Sequence, residues 1–189
     1  MIRRICGVDE VGRGPLAGPV VAAACVFPEG YKNEKINDSK KLSSKKRELI
    51  IEQIERDALD WAIVAVSPLQ IERINIREAS RLAMSLAVKR LEADLVLVDG
   101  NVAIECAIEQ RTVVGGDAKH VEIGAASILA KVWRDKLMEL YGAIYPAYGF
   151  EGHAGYPTPP HKRAIKEVGP CPIHRRTFAG VKEFVDQLR

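Results

Sequence analysis

Three apolar segments of this chain each run directly into an acidic residue, and this pattern limits the possible folds more than any other. The acidic residues that follow them are Asp9 with Glu10, Asp99, and Asp117. If the segments are parallel strands of one sheet, their carboxyl ends meet at the edge where α/β sheets bind ligands. Carboxylates gathered there raise one another's pKa, and a divalent cation relieves that repulsion. Oxygen ligands suit Mg²⁺ or Mn²⁺, so the pattern predicts a metal-dependent enzyme.

The first acidic pair imposes a geometric condition. Successive residues of a strand point to opposite faces of the sheet, so Asp9 and Glu10 can serve one metal site only if the strand ends there. Glu10 would then contribute from the following turn or through its main-chain carbonyl. An ordinary solvated turn remains the alternative for this pair, and also for Asp99 with Gly100.

Hydrophobic periodicity predicts a mixed α/β sheet with an antiparallel pair of strands at one side. Residues 10–18 contain three Gly and one Pro, too few residues for a crossover helix, so the strands on either side should be antiparallel neighbours. The segment 95–98 is apolar on both faces, which is typical of a central parallel strand. Strands are predicted at 2–9, 19–27, 60–66, 95–98 and 110–114. Helices are predicted at 44–57, briefly after Ser67, over 76–92, over 121–141, and near 160–168 and 179–188, with a loop at 145–160.

Size and composition fit one domain of a cytoplasmic protein. We expect a single catalytic domain over 1–189, with its core at about 1–145 and a C-terminal loop and helical segment at about 146–189. The four cysteines are irregularly spaced and form no C-x-x-C pair, which indicates neither a disulfide framework nor a zinc site. No apolar stretch approaches the ~18 residues of a membrane span. The net charge of +3 is too small to identify a nucleic-acid binder.

The turn Gly12-Arg13-Gly14 resembles a phosphate-binding loop, but its context differs. A nucleotide-binding fold needs a helix after the glycines, whereas here Pro15 and then a strand follow. What remains is a bare backbone turn whose amides and carbonyls can approach a ligand closely, and a sugar hydroxyl is a fitting ligand. The Arg13 side chain beside it can hold a phosphate.

Several motifs together resemble one known family. They are DEVGRGPLAGPVVAAA, NDSKKLS, VDGN, GGD, AASILAKVWRD, GYPT followed by a histidine, and HRRTF. In this order, over about residues 3–181, they closely resemble bacterial ribonuclease HII, the type 2 ribonuclease H. The resemblance implies a ribonuclease H-like α/β fold, a five-stranded mixed sheet flanked by helices with a C-terminal helical segment.

The resemblance also implies an activity. The expected enzyme is a metal-dependent endoribonuclease that cleaves the RNA strand of RNA–DNA hybrids and nicks 5′ of single ribonucleotides in duplex DNA. It would leave 5′-phosphate and 3′-hydroxyl ends, in ribonucleotide excision repair and RNA primer removal. The residues that would bind two Mg²⁺ or Mn²⁺ ions for catalysis are Asp9, Glu10, Asp99 and Asp117.

Substrate contacts are implied in the same way. The backbone of Gly12, Arg13 and Gly14 would read the 2′-OH at the RNA–DNA junction. Tyr156 would pack against the sugar and base of the following deoxynucleotide, which permits broad sequence acceptance.

Phosphate contacts and partners complete these expectations. Ser39 and Lys40 would hold the phosphate backbone, while Ala154 stands where the family often has a lysine. His153 and His161 either orient the loop around them or contact phosphate. The C-terminus contains no clear sliding-clamp peptide, and we expect a monomer.

Two other functions remain open. The same sheet and metals could serve a nuclease or integrase that acts on DNA alone, although the glycine–arginine turn and Tyr156 argue against this. A hybrid-binding module without turnover is the second alternative, but carboxylates facing phosphate would weaken a pure binder.

Overall fold

The computed structural model describes residues 3–37 and 44–188, which form one five-stranded sheet with helices on both faces. The strands are β1 (Arg4–Val11), β2 (Val20–Pro28), β3 (Asp60–Val66), β4 (Leu95–Asp99) and β5 (Gln110–Val113). The helices are α1 (Glu34–Asn37), α2 (Ser44–Asp57), α3 (Pro68–Val88), α4 (Val121–Ile144), α5 (Phe150–His153) and α6 (Pro159–Val168). Short 3₁₀ helices cover Gly116–Ala118, Pro146–Tyr148 and Lys182–Leu188.

The strand order is β3-β2-β1-β4-β5, and the sheet is mixed. β1 is antiparallel to β2 and β2 is antiparallel to β3, whereas β1, β4 and β5 are mutually parallel. The parallel register pairs Val8 with Val98, and Val98 with Thr112. The predicted mixed α/β sheet and its antiparallel first pair are therefore confirmed, and β1, β4 and β5 end at one edge.

Alternation along the central strands divides the core into two layers. In β2 the even positions from Val20 to Val26 pack with α3, and the odd positions from Val21 to Phe27 pack with α2 and α4. Helix α4 lies unusually close to β1, because a Cβ on Gly7 would stand 2.1 Å from the main-chain carbon of Glu122. Only glycine permits that approach.

Helix α3 is interrupted where the sequence predicts a break. Asn75 has φ 66° and ψ 165°, and its side-chain Oδ1 accepts hydrogen bonds from the amides of Arg77 and Glu78. The side chain thus caps the second part of the helix, as Asn commonly does. The helix ends at Val88, four residues before the predicted end at 92.

Other boundaries differ from the sequence predictions. Strand β1 continues to Val11 rather than ending at residue 9, because its antiparallel pairing with β2 extends through Glu10 with Ala22 and Val11 with Val21. The predicted loop at 145–160 contains a 3₁₀ turn and the one-turn helix α5, and the last predicted helix is a 3₁₀ helix. None of the helices within 3–37 and 44–188 has the length and apolar run needed to cross a bilayer.

Candidate active site

The acidic side chains at the ends of β1 and β4 lie near one another, with Asp9 buried and Glu10 and Asp99 partly buried. Asp9 is 8% exposed, and its pKa is raised to about 7, mainly by burial and further by the negative charges of Asp99 and Glu10. The Ser127 hydroxyl and the Glu10 amide both donate to the Asp9 carboxylate, the latter at 2.7 Å. These two donors offset only part of the cost of burying the charge.

Asp9 and Glu10 lie on opposite faces of the sheet, so the condition stated from the sequence is not met. Because β1 runs on to Val11, the strand does not end between them. Asp9 faces α4, where Ser127 lies, and Glu10 faces α3. Burial also raises the pKa of Glu10, as does the charge of Asp99, while Arg13 acts in the opposite direction.

Asp117 reaches the same edge through a turn. The amide of Gly116 donates to Asp99 Oδ1 at 2.7 Å, and Asp117 follows it, 6% exposed. A Cβ on Gly116 would stand 2.4 Å from Ile123 Cδ1 and 3.2 Å from Asp99 Oδ1, so a larger residue would push this turn away. We call Asp9, Glu10, Asp99 and Asp117 the carboxylate edge.

The carboxylate edge has the donor chemistry for a cation, but its side chains do not form a complete coordination site. Within residues 3–37 and 44–188, no three Asp, Glu, His or Cys side chains lie close enough together, as they stand, to hold a metal ion. However, burial and, less strongly, the charges of Asp99 and Glu10 raise the pKa of Asp9, and a bound cation would favour its ionised form. All four side chains supply oxygen donors, which is the donor set of Mg²⁺ and Mn²⁺.

Two buried arginines fix the backbone of the glycine–arginine turn, residues 12–14. Arg175 donates to the carbonyls of Gly12 at 2.5 Å, Arg13 at 2.8 Å and Gly18 at 3.0 Å. Its side chain is completely buried. Burial and the nearby charge of Arg134 lower the pKa of Arg175 to about 9, which still leaves it charged at neutral pH.

Arg134 holds the segment that follows the turn. It donates to the carbonyls of Pro19 at 3.0 Å, Ala17 at 3.1 Å and Ala154 at 3.0 Å. A Cβ on Gly12 would lie 2.3 Å from Arg134 Nε, and Gly12 has φ +91°, so glycine is required for two separate reasons.

The two arginines determine which backbone groups of the turn remain available. The carbonyls of Gly12 and Arg13 already accept from Arg175. The amides of Arg13 and Gly14 have no hydrogen-bond partner among the described residues. The turn therefore presents unbound donors, whereas the sequence suggested that its amides and carbonyls are equally available.

Tyr156 lies beside the turn. A Cβ on Gly14 would stand 3.8 Å from Tyr156 Cε1, so the ring borders the open space beside Gly14. The Tyr156 side chain is partly exposed. The structure therefore brings Tyr156 next to the glycine–arginine turn, although Gly14 and Tyr156 are 142 positions apart in the sequence.

The sequence predicted that Arg13 can hold a phosphate, and in the structure its side chain lies beside Glu10. Its Nη1 lies 3.3 Å from Glu10 Oε1, and its side chain is 57% exposed. The guanidinium thus offsets part of the Glu10 charge and keeps most of its surface for another group. Ser39 and Lys40 lie outside the described residues.

A cleft of about 380 Å³ opens between the carboxylate edge and α3. Glu10 and Asp99 line one side, and Arg77 and Arg81 of α3 line the other. Arg81 is engaged, since it donates to Glu78 at 2.9 Å and to the carbonyl of Ala103 at 3.1 Å. The Arg77 side chain is exposed and has no partner among the described residues. We call this the arginine cleft.

Sequence reasoning did not assign a role to four arginines of this site. Arg77 and Arg81 are four residues apart on one helix face, which at the sequence level indicates only a solvated surface. Arg134 and Arg175 occur in the AASILAKVWRD and HRRTF segments, and that placement is the signal that could have found them.

The comparisons with known proteins agree on one family. The family model described as ribonuclease HII matches residues 6–181, nearly the whole chain. The chain belongs to the ribonuclease HII family. It is therefore a hydrolase of the ribonuclease H type, which acts on the RNA of RNA–DNA hybrids.

Individual relatives cover almost the entire length. Ribonuclease HII of Syntrophotalea carbinolica is 50% identical over 185 residues, which is 97% of this chain and 88% of that protein. Ribonuclease HII of Idiomarina loihiensis is 50% identical over 186 residues, which is 97% of this chain and 100% of that protein. The crystal structure of ribonuclease H2 from Pyrococcus horikoshii OT3 matches with a TM-score of 0.83 at 27% identity, over 98% of this chain and 99% of that one. The predicted fold class is thereby confirmed.

Proposed function

We propose that this ribonuclease HII cleaves the RNA strand of RNA–DNA hybrids and also nicks 5′ of single ribonucleotides embedded in duplex DNA. The products would carry 5′-phosphate and 3′-hydroxyl ends, as ribonucleotide excision repair and RNA primer removal require. The observation that carries this proposal is the position of the glycine–arginine turn. It directly continues the strand that bears Asp9 and Glu10, and Tyr156 lies beside it at Gly14.

Catalysis would depend on divalent ions held at the carboxylate edge. Dependence on a divalent metal is characteristic of the family. Two Mg²⁺ or Mn²⁺ ions bound there would supply an activated water and would stabilise the departing 3′-oxygen. Asp9, Glu10, Asp99 and Asp117 would hold them. Asp9 and Asp99 share one face of the sheet and are the best placed pair, whereas Glu10 would act from the other side of β1.

Recognition of the ribonucleotide would come from the glycine–arginine turn. The unbound amides of Arg13 and Gly14 can donate to a 2′-OH, the group that distinguishes RNA from DNA at a single site. Arg175 binds two carbonyls of the turn, and Arg134 and Arg175 together bind four more around it, so the turn needs little further ordering on binding.

Tyr156 would contact the nucleotide that follows. Its partly exposed ring can pack against the sugar and base of a deoxynucleotide, and aromatic stacking tolerates any base. A ribonucleotide held by the turn and a deoxynucleotide held by the ring together define an RNA–DNA junction.

The substrate backbone would cross the arginine cleft. Arg77 offers an unpaired guanidinium beside the carboxylate edge, and a guanidinium binds phosphate oxygens well. Ser39 and Lys40 stay predicted phosphate contacts, and the monomeric state without a sliding-clamp partner stays a prediction.

A cleavage assay on three matched duplexes tests the proposal. The duplexes have one sequence and contain no ribonucleotide, one ribonucleotide, or one complete RNA strand, and each is assayed with Mg²⁺ and with Mn²⁺. We expect no cleavage of the first, a single nick 5′ of the ribonucleotide in the second, and several cuts in the third. Equal cutting of the all-DNA duplex would refute the proposal.

A further inference from the structure

Two buried histidines form a pair behind Tyr156. His161 lies in the first turn of α6, and His174 lies after that helix; they are 0% and 1% exposed. Their Nε2 atoms are 3.0 Å apart. Because neither side chain reaches the surface, the pair contacts no phosphate, and the alternative in which His161 orients its loop remains.

The neighbours of the pair determine where its protons lie. The Cys171 amide donates to His174 Nδ1 at 2.9 Å, so this nitrogen carries no proton. His161 Nδ1 lies 2.9 Å from the carbonyl oxygen of Tyr156, which only a protonated nitrogen can bond. A neutral imidazole has one ring proton. His174 must therefore donate from Nε2 to the bare Nε2 of His161.

The surroundings favour neutral rings. The groups that face the pair are the rings of Tyr148, Phe150 and His153 and the thiol of Cys171, none of them an acid ionised at neutral pH. His153 donates from Nε2 to the Tyr148 carbonyl and accepts at Nδ1 from the Gly155 amide, which is also a neutral arrangement. The adjacent Arg175 directs its guanidinium to the glycine–arginine turn. Burial lowers the pKa of both His161 and His174 to about 4.

We propose that His161 and His174 form a positioning relay that fixes the main chain at Tyr156 and so holds its ring beside Gly14. The relay runs from the Cys171 amide through both imidazoles to the Tyr156 carbonyl. An added proton would have to occupy Nε2 of His161 or Nδ1 of His174, and at either position it would face another N–H. The relay therefore exists only while both rings are neutral. The functional consequence rests on the proposed role of Tyr156 in contacting the substrate.

A spectroscopic test needs no substrate. Long-range ¹⁵N–¹H correlation spectra of the ¹⁵N-histidine-labelled protein distinguish the two neutral tautomers of each ring. We expect the Nδ1–H form for His161 and the Nε2–H form for His174, both unchanged from pH 8 to about pH 5, since neutral rings persist above a lowered pKa. Signals are assigned with His161→Asn and His174→Gln. The opposite tautomer on either ring, or protonation near the ordinary histidine pKa, would overturn the relay.

A kinetic test separates positioning from simple stability. His161→Asn keeps a side-chain donor for the Tyr156 carbonyl, whereas His161→Leu removes it. For duplex DNA with one ribonucleotide, we expect His161→Leu to raise KM about fivefold with kcat within about twofold, and His161→Asn to stay near the parent. Glu167→Gln is the control, because Glu167 is exposed on α6 and takes no part in the relay.

Each outcome has one meaning. The relay is refuted if His161→Leu and His161→Asn give the same KM, or if kcat alone falls. Should His161→Leu fail to fold, His174→Gln, which keeps a donor, is compared with His174→Phe in the same way. A parent protein that cuts none of the substrates would refute the proposed function, while the tautomer test would still decide the relay.

Discussion

Asp9 and Glu10 of the carboxylate edge stand just before the glycine–arginine turn in the chain, yet the protein builds the edge and the turn in opposite ways. Arg175 binds two carbonyls of the turn, Arg134 and Arg175 bind four more around it, and the backbone is held before any ligand arrives. At the edge, Asp9 is buried with a pKa of about 7, and its charge is left without a cationic partner among the described residues. The protein's own contacts thus fix the glycine–arginine turn, the proposed recognition element, whereas the carboxylate edge, the proposed catalytic element, would be completed by metal ions.

The largest expected effect comes from removing one carboxylate from the edge. Asp99→Asn keeps the size of the side chain but loses a charge that would hold metal, so we expect kcat to fall by about 10³-fold or more. Binding of the ribonucleotide-containing duplex, measured by fluorescence anisotropy in Ca²⁺, should be retained. Asp135→Asn is the control, because Asp135 pairs with Lys131 on the outer face of α4 and should behave like the parent.

Removing the contacts that hold the glycine–arginine turn should mainly affect protein stability and substrate binding. Arg175→Met leaves three carbonyls without this donor, two of them buried and one partly buried, so we expect a loss of about 4 kcal/mol in the free energy of unfolding, measured in urea. KM for the single-ribonucleotide duplex should rise while the Mn²⁺ affinity stays constant. Arg176→Gln changes the exposed neighbour and serves as the control. An unchanged KM in folded Arg175→Met would show that the turn does not read the ribonucleotide.

The unneutralised charge of Asp9 predicts a trade between stability and activity. Its pKa is raised above the unfolded value of 3.8, so its contribution to stability is complete below about pH 4 and is lost as pH rises through 7. In metal-free protein at pH 8, Asp9→Asn should therefore be more stable than the parent by up to about 4 kcal/mol, with little difference near pH 4. Thermal melts at both pH values measure this, and the gain should shrink when Mg²⁺ is added to both proteins. A variant no more stable than the parent at pH 8 would show that Asp9 is already neutralised within the protein.

The smallest effect is expected at the arginine cleft. Arg77→Gln removes one phosphate contact, so affinity should fall about threefold to tenfold and the salt slope of log K should decrease by about 1, with kcat unchanged. Arg73→Gln is the matched control, since Arg73 is exposed one helical turn earlier and does not line the cleft. Equal salt slopes for the two variants would remove Arg77 from the proposed binding surface.

Most of the sheet could be predicted from the sequence because its information is local. Apolar runs mark β2 and β3, a run apolar on both faces marks β4, and the Asn75 cap marks the break in α3. The end of β1 was misplaced because an Asp-Glu-Val-Gly sequence suggests a turn, whereas pairing with β2 carries the strand through it. One-turn elements such as α5 have no periodicity to detect.

The parts of the site that could not be predicted are long-range. Arg175 binds a carbonyl 163 residues earlier in the chain, and an arginine usually indicates surface, so nothing local announces a buried one. The same holds for His161 and His174, whose pairing appears only when the C-terminal segment folds over the turn. The position of the acidic residues at one edge of the sheet could be predicted because strand ends converge by topology alone. The face on which Glu10 lies could not, since it depends on where β1 stops.

Gly7, which allows α4 to pack closely against β1, has a consequence for the whole carboxylate edge. Gly7 precedes Asp9 by two residues, and the helix above it carries Ser127, which bonds Asp9, and Gly124, whose added Cβ would stand 2.9 Å from the Asp117 carbonyl. A single methyl group at Gly7 would act as a wedge and tilt that helix off the strand. Asp9 and Asp117 would then both be displaced, although the substitution contacts neither of them. The alignment of the carboxylate edge thus depends on the absence of a single Cβ atom at Gly7 of β1.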